Sequence, residues 1–386
     1  MQQPELDRAI RIVRAHAARV PEIAARLARA GLDSGEPTDA AGWARIPVLR
    51  KSSLRELQAE APPWGGMLED GFRPQTCFTS PGGIVEPLVP RMVERLAELL
   101  QCAGFAATHT VLNGFGYHFT PAGLLFHAAL VRIGCTVLPA GPQDSALQAR
   151  FARLIGADAF VGIASHLKIL FEHEPALSIR LAMAGAEPHG ESIRAELLAR
   201  QGVRCVDMYG FAEAGIVAAT CTQAGALHLH ADVVAEVLDP AGGPSVPAGS
   251  IGELVVSLDN PGFPLLRFAT GDLVQIDPRS CVCGRAGVLH LLGRADQSAR
   301  VKGMLLHPNQ LKQFLAAAGA SACRVDVSRI DDRDRVAVTV RMGEGAAESA
   351  ALDAAFRESC RLRADRIEFD ASLAAGSFTI ADLRGR

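Results

Sequence analysis

Residues 110–138 read Thr-Val-Leu-Asn-Gly-Phe-Gly-Tyr-His-Phe-Thr-Pro-Ala-Gly-Leu-Leu-Phe-His-Ala-Ala-Leu-Val-Arg-Ile-Gly-Cys-Thr-Val-Leu. Thr110 to Leu112 is a short strand-like run, and Asn113 to Gly116 a Gly-rich turn. Leu124 to Ile133 has helix length, and Thr136 to Leu138 is again a short apolar strand. The same alternation recurs at Ala159 to Ile163 and Arg180 to Ala184. Short apolar strands spaced by helices pair in parallel and need cover on both faces. The pattern predicts a large α/β domain.

Upstream, Leu6 to Ala30 reads as helix, with Ile10, Val13, Ile23 and Leu27 near the helical period and Pro21 breaking it partway. Downstream of Ala231 the texture changes. Ala235 to Leu238, Gly252 to Ser257 and Leu273 to Ile276 are strands bounded by Pro and Gly clusters, which predicts a small antiparallel, β-barrel-like subdomain. The last segment predicts helix 308–319, strands 322–329 and 335–341, helix 347–363 and strand 366–369, a small α+β domain. The boundary falls in the polar turn Gly293 to Gln297, giving residues 1–293 to the large domain and 294–386 to the small one.

The 386 residues exceed what one hydrophobic core supports, and 49% hydrophobic with 21% charged residues describes a folded chain. A net charge of −3 argues against nucleic acid or an anionic membrane surface as partner. No apolar run reaches the ~18 residues that cross a bilayer. Met1 to Arg14 mixes acids and bases without an apolar signal core, which reads against secretion. Nine scattered cysteines are no disulfide framework and suit a reducing cytoplasm. Arginine is used almost everywhere; the lysines are Lys51, Lys168, Lys302 and Lys312 alone.

Six motifs follow in order. They are Ala-Gly-Ala-Glu-Pro (184–188), Asp-Met-Tyr-Gly-Phe-Ala-Glu (207–213), Pro-Leu-Leu-Arg-Phe-Ala-Thr-Gly-Asp-Leu (264–273), Cys-Val-Cys-Gly-Arg (281–285), Gly-Arg-Ala-Asp (293–296) and Val-Lys-Gly (301–303). With His-Pro-Asn-Gln (307–310), their order and spacing resemble the phenylacetate–coenzyme A ligase family of the adenylate-forming superfamily, over roughly residues 75 to 320. The resemblance implies an adenine site at Gly185, Ala186 and Glu187, where a Gly turn lets backbone approach a flat ring. It implies stacking by Tyr209 beside Gly210, Mg²⁺ at Glu213 and ribose hydroxyls at Asp272. Arg294 is the implied second nucleotide contact and Asp296 the hinge of a mobile small domain. Lys302 belongs to the implied catalytic set, and Gly303 lines the mouth of a coenzyme A tunnel. An acid pocket is implied near Tyr117, Phe119 and Ala186, with His118 and His127 beside it as structural residues.

Cys221, His228, Cys281 and Cys283 are three soft thiolates and an imidazole, a set that suits structural Zn²⁺, with His230 as the competing ligand. They match a cysteine and histidine cluster of the family.

Two departures qualify the resemblance. The phosphate loop of the family corresponds here to Thr79 to Pro87. Backbone around Ser80, Gly82 and Gly83 can still cradle a phosphate, but Glu86 stands where the family carries lysine. No lysine follows Lys312, so Arg384 and Arg386 are the cations near the position of the family's adenylation lysine. A guanidinium is a broader fork than an ammonium. The expected function is an AMP-forming aryl- or acyl-coenzyme A ligase using ATP, Mg²⁺, coenzyme A and a small carboxylic acid. A derived member performing a partial adenylate-dependent reaction and a non-catalytic ligand-binding homologue are the alternatives. The reading leaves a homodimer open.

Overall fold

The structure, a computed structural model, describes residues 3–32, 35–79, 83–185, 190–223, 225–240, 243–301, 304–330, 333–342 and 349–384. The chain opens with α1 (Gln3–His16), α2 (Pro21–Arg29), α3 (Ala40–Arg45), α4 (Lys51–Glu60) and the hairpin β1 (Cys77–Thr79) and β2 (Val85–Pro87). An alternating region follows: α5 (Pro90–Cys102), β3 (Thr110–Asn113), α6 (Ala122–Ile133), β4 (Thr136–Pro139), α7 (Ser145–Leu154), β5 (Ala159–Gly162), α8 (Ala164–His173), β6 (Leu181–Ala184), α9 (Gly190–Gln201) and β7 (Arg204–Val206). Next come β8 (Met208–Phe211), β9 (Gly215–Thr220), β10 (Leu227–Leu229), β11 (Val234–Leu238), β12 (Ile251–Leu258), β13 (Leu265–Ser280) and β14 (Ala286–Arg294). The C-terminal part holds β15 (Ala299–Val301), β16 (Met304–Leu306), α10 (Pro308–Ala318), β17 (Ala320–Ile330), β18 (Arg333–Met342), α11 (Ser349–Cys360), β19 (Arg366–Phe369) and β20 (Phe378–Asp382).

Strands β3 to β7 form a five-stranded parallel sheet in the order β4-β3-β5-β6-β7. Its side chains divide with period two. Val111, Val161, Leu181 and Met183 enter one core with residues of α5 and α6, including Leu96, Leu100 and Phe126. Leu112, Phe160, Ala182 and Ala184 enter the core on the other face with Leu167, Leu170 and Leu197 of α8 and α9. That two-faced burial explains why these strands read as unbroken apolar runs.

A seven-stranded antiparallel sheet runs β11-β12-β13-β14-β10-β9-β8. The expected strand Leu273 to Ile276 is the middle of the much longer β13, whose pairing with β12 and β14 shifts register. Bends of this kind hide a long strand from periodicity, because each shift resets which side chains face inward.

Pro21 begins α2 at a first-turn position, where its missing N–H has no partner to lose. The helical stretch expected over Leu6 to Ala30 is therefore two helices, parted ahead of Pro21 as its proline implied. They pack through Leu6, Val13 and Ile23 on Trp43, Val234 and Leu266. Arg267, at φ 44°, sends a buried guanidinium into this junction. It pairs with Glu236 at 3.0 Å and donates to the carbonyls of Trp43, Ala44 and Ile46. Removing one member of such a pair costs about 3–5 kcal/mol.

The C-terminal residues build a four-stranded sheet ordered β19-β18-β17-β20. Val325, Val327, Val336 and Val338 form its core with Phe314 of α10 and Phe356 of α11, whose rings meet edge to face at 5.3 Å. Strand β20 was not among the sequence expectations; it is exposed in part and exists through parallel pairing with β17, far away in sequence.

Candidate active site and metal centre

Three loops and strand ends meet beside the parallel sheet. Strand β6 ends at Gly185, where a Cβ would stand 2.8 Å from Met208 Cγ, so only glycine lets these segments close. Strand β8 brings Tyr209 and Gly210; a side chain at Gly210 would meet the backbone of Gly215 and Ile216. Tyr209, 8% exposed, donates its hydroxyl to Asp272 Oδ2 at 2.7 Å. Burial, then the Asp272 charge, holds that phenol well above its usual pKa, so it stays a donor. Arg294, paired opposite Asp272 across β13 and β14, donates to Asp272 Oδ1 at 2.9 Å and to the Thr270 carbonyl at 3.2 Å. A turn at Gly271, φ 77°, leaves room for that guanidinium. The expected nucleotide residues Tyr209, Asp272 and Arg294 thus form one hydrogen-bonded chain.

Glu213 is 1% exposed, and among the described residues no hydrogen bond reaches either carboxylate oxygen. Its partner is the Lys51 ammonium at 3.2 Å, close enough for an ion pair though not aligned for a hydrogen bond. A buried carboxylate with open lone pairs fits a hard divalent cation such as Mg²⁺. Lys51 also lies 5.9 Å from the ring centroid of Phe211, which stacks on Phe268 at 5.6 Å. Sequence reasoning did not assign Lys51 to the site. The signal available was its rarity, a lysine kept in a chain that otherwise uses arginine.

The expected phosphate loop is described only in part. Ser80 and Gly82 lie outside the described residues; Gly83 is exposed with φ 77°. Glu86 sits on β2 opposite Phe78 and is 1% exposed. Its carboxylate is therefore buried, while residues 80–82, which would set its distance from a phosphate, lie outside the described residues. Ala186, Glu187, Lys302, Gly303 and Arg386 also lie outside the described residues. Asp296 falls in the single turn Ala295–Gln297 that joins β14 to β15.

Around the expected acid pocket, buried Asn113 donates to the Tyr117 hydroxyl at 2.8 Å, and His127 Nδ1 lies 3.3 Å from the same oxygen. Burial pushes the Tyr117 phenol up to about 12. Phe119, at φ 58°, is 80% exposed, so it lines no enclosed pocket here, against expectation. The turn between β3 and α6 reverses its backbone at this residue and points the ring outward.

Arg384 departs from expectation as well. Its guanidinium is forked between Asp382 at 2.6 Å and Asp334 at 2.9 Å, and those carboxylates raise its pKa further. A cation so held fastens β20 to the start of β18 and is not free to serve a distant phosphate.

Cys221, His228, Cys281 and Cys283 converge as expected, their ligand atoms all within 4.8 Å of one another. Two thiolates on one tetrahedral zinc at ~2.3 Å bonds stand ~3.8 Å apart, and a thiolate and an imidazole nitrogen ~3.5 Å. The Sγ atoms of Cys221 and Cys281 are 3.8 Å apart, and Cys283 Sγ lies 3.5 Å from His228 Nε2. Burial, then the neighbouring Arg285 charge, lowers the His228 pKa and favours the neutral, ligating imidazole. His230 is excluded as the competing ligand: its two nitrogens face Asp232 at 2.7 Å and Glu98 at 2.8 Å. The donor set fits a tetrahedral ion that joins the β9–β10 and β13–β14 turns.

Comparison with known proteins agrees with this geometry. Residues 87–261 match the family model described as AMP-binding enzyme. Phenylacetate-coenzyme A ligase of Thermus thermophilus is 28% identical over 321 residues, covering 78% of this chain and 71% of that protein. Its Pseudomonas putida counterpart is 26% identical over 316 residues, covering 76% and 70%. Among solved structures, an open conformation of 2-hydroxyisobutyryl-CoA ligase in complex with 2-HIB-AMP and CoA superimposes with a TM-score of 0.83 at 19% identity, covering 96% of this chain and 88% of that one. No helix among the described residues is long and apolar enough to cross a membrane. Fold, motif order and curated relatives converge: the chain is similar to the phenylacetate–coenzyme A ligases, and its residues 87–261 carry the AMP-binding enzyme match of the adenylate-forming proteins.

Proposed function

We propose that the protein is an AMP-forming acid–thiol ligase, which joins a carboxylic acid to ATP as an acyl-adenylate and then transfers the acyl group to coenzyme A. The observation that carries this is the chain Tyr209–Asp272–Arg294 beside the buried Glu213–Lys51 pair. Asp272 keeps acceptor capacity for ribose hydroxyls while Tyr209 and Arg294 fix its orientation. Glu213 would hold Mg²⁺, which when bound neutralises charge on the phosphates. Lys51 supplies a point charge where the α-phosphate becomes more anionic as the carboxylate attacks, and such oriented charge is worth orders of magnitude in rate. The acid pocket would use Tyr117 and Ala186, for aromatic or other hydrophobic acids.

Residues 294–386 would move as a unit about Asp296 between adenylation and thioester formation. Zinc would occupy the Cys221–His228–Cys281–Cys283 centre as a structural ion, with all four positions filled by protein. Such thiolates suit a reducing, cytoplasmic setting. Pyrophosphate exchange over a panel of aromatic and aliphatic acids tests the reading; absence of exchange with every acid would remove it.

A derived enzyme that performs only the thioester half-reaction is a second reading, favoured by the pinning of Arg384 on Asp334 and Asp382. Turnover of a synthetic aryl-adenylate with coenzyme A, without turnover of free acid and ATP, would select it.

A further inference from the structure

Next to the Tyr209–Asp272–Arg294 chain lies a cleft of about 400 Å³ lined by Arg50, Lys51, Ser52, Glu253, Thr270 and Arg294. Among the described residues each of its three cations faces an acid: Arg50 Glu253, Lys51 Glu213 and Arg294 Asp272. The cleft is therefore an array of positioned donors rather than a strong positive field.

Arg50 differs from the other two in how it is held. A single nitrogen, Nη1, reaches both oxygens of Glu253 at 3.1 Å each, and Glu253 is 2% exposed. The remaining edge of the guanidinium, Nε and Nη2, has no partner among the described residues, and the side chain is 42% exposed. That edge offers two parallel N–H groups at the spacing of two phosphate oxygens, a geometry that an ammonium cannot reproduce. Glu253 holds the fork by Nη1 alone, so the Nε–Nη2 edge of this cleft-lining residue stays unpaired among the described residues.

We propose that Arg50 binds a diphosphate group in this cleft, its open edge donating to two phosphoryl oxygens beside Lys51. The proposal rests on the nucleotide reading of the neighbouring site. Two sources carry such a group, the triphosphate tail of ATP and the diphosphate of coenzyme A. In either case Arg50 binds and orients a ligand and no bond to the protein forms.

Calorimetry on the full chain with magnesium pyrophosphate, Mg-ATP, coenzyme A and AMP tests it. Arg50→Ala is expected to weaken pyrophosphate by about tenfold or more, as loss of a charge-assisted pair implies, and to leave AMP within about twofold. Arg50→Lys should recover only part of the loss. A weakening shared with ATP assigns the site to the nucleotide tail, and one shared with coenzyme A assigns it to that substrate. Arg50→Ala strands the buried Glu253 carboxylate, so the double variant Arg50→Ala, Glu253→Gln keeps the pair neutral; the same loss there supports the role of the arginine edge. Wild-type protein that binds no pyrophosphate, or a folded Arg50→Ala protein with unchanged affinity for pyrophosphate, ATP and coenzyme A, overturns the proposal. Wild-type failure to bind AMP would instead strike the nucleotide reading, while the pyrophosphate comparison would still judge Arg50.

Discussion

Glu213 and Lys51 show how much a single contact decides. Glutamate buried at 1% without a hydrogen-bond donor is costly unless a cation completes it, and Lys51 at 3.2 Å does so in part. Glu213→Gln keeps the shape and removes the charge, so pyrophosphate exchange should fall by about 10²-fold or more with AMP affinity nearly unchanged. An exchange rate within a few-fold of wild type would show that the carboxylate does not act on the phosphates. Tyr209→Phe removes one donor from Asp272. AMP should bind about five- to tenfold more weakly, the worth of one buried hydrogen bond, measured by calorimetry. Glu213 and Asp272 were singled out in the sequence because each lies within a short motif. Lys51 was not, because its partner is 162 positions away and no local pattern links Lys51 to Glu213.

Among the elements, the hairpin β13–β14 works at both ends. Its turn carries Cys281 and Cys283, and its opposite end carries Asp272 and Arg294. Purified protein should hold about one zinc per chain by elemental analysis, since four protein ligands fill one tetrahedral ion. Cys283→Ser should lose that zinc and lower the melting temperature by several degrees, since the ion ties two turns together. Zinc-free wild type with an unchanged melt would refute the assignment. Helix α1 carries a different junction: His16 faces Glu69 at 2.5 Å and Asp259 at 2.7 Å, with Arg19 on Glu69 at 2.8 Å. Burial pushes the His16 pKa down, yet the hydrogen bonds and charges of Asp259 and Glu69 outweigh it and the net shift is upward. A histidine raised in the folded state contributes its full stabilisation below the unfolded value of about 6.5 and loses it as pH rises through the folded pKa. Melting temperature should therefore fall on that alkaline side, and His16→Gln should lower the acid-side value and flatten the profile.

At the scale of the whole molecule, the C-terminal sheet has its own core, and Arg384 closes it. Arg384→Ala should destabilise the protein by about 2 kcal/mol in denaturant melts and leave the adenylation rate unaltered. A large fall in that rate without loss of stability would return Arg384 to catalysis. What the sequence by itself determined was local and periodic. The strands β3, β5 and β6 were legible because a parallel sheet buried on both faces needs unbroken apolar runs. The cluster of Cys221, His228, Cys281 and Cys283 was legible because only a few residue types suit zinc. Tertiary structure alone decided the pairs made across long separations: Lys51 with Glu213, Arg50 with Glu253, Arg384 with Asp334, and His230 with Glu98. It also decided the outward turn of Phe119 and the inward turn of Glu86. For the ion pairs the physical reason is the same. A charge buried by the fold must find a counter-charge wherever the chain brings one, and that meeting depends on packing rather than on sequence spacing.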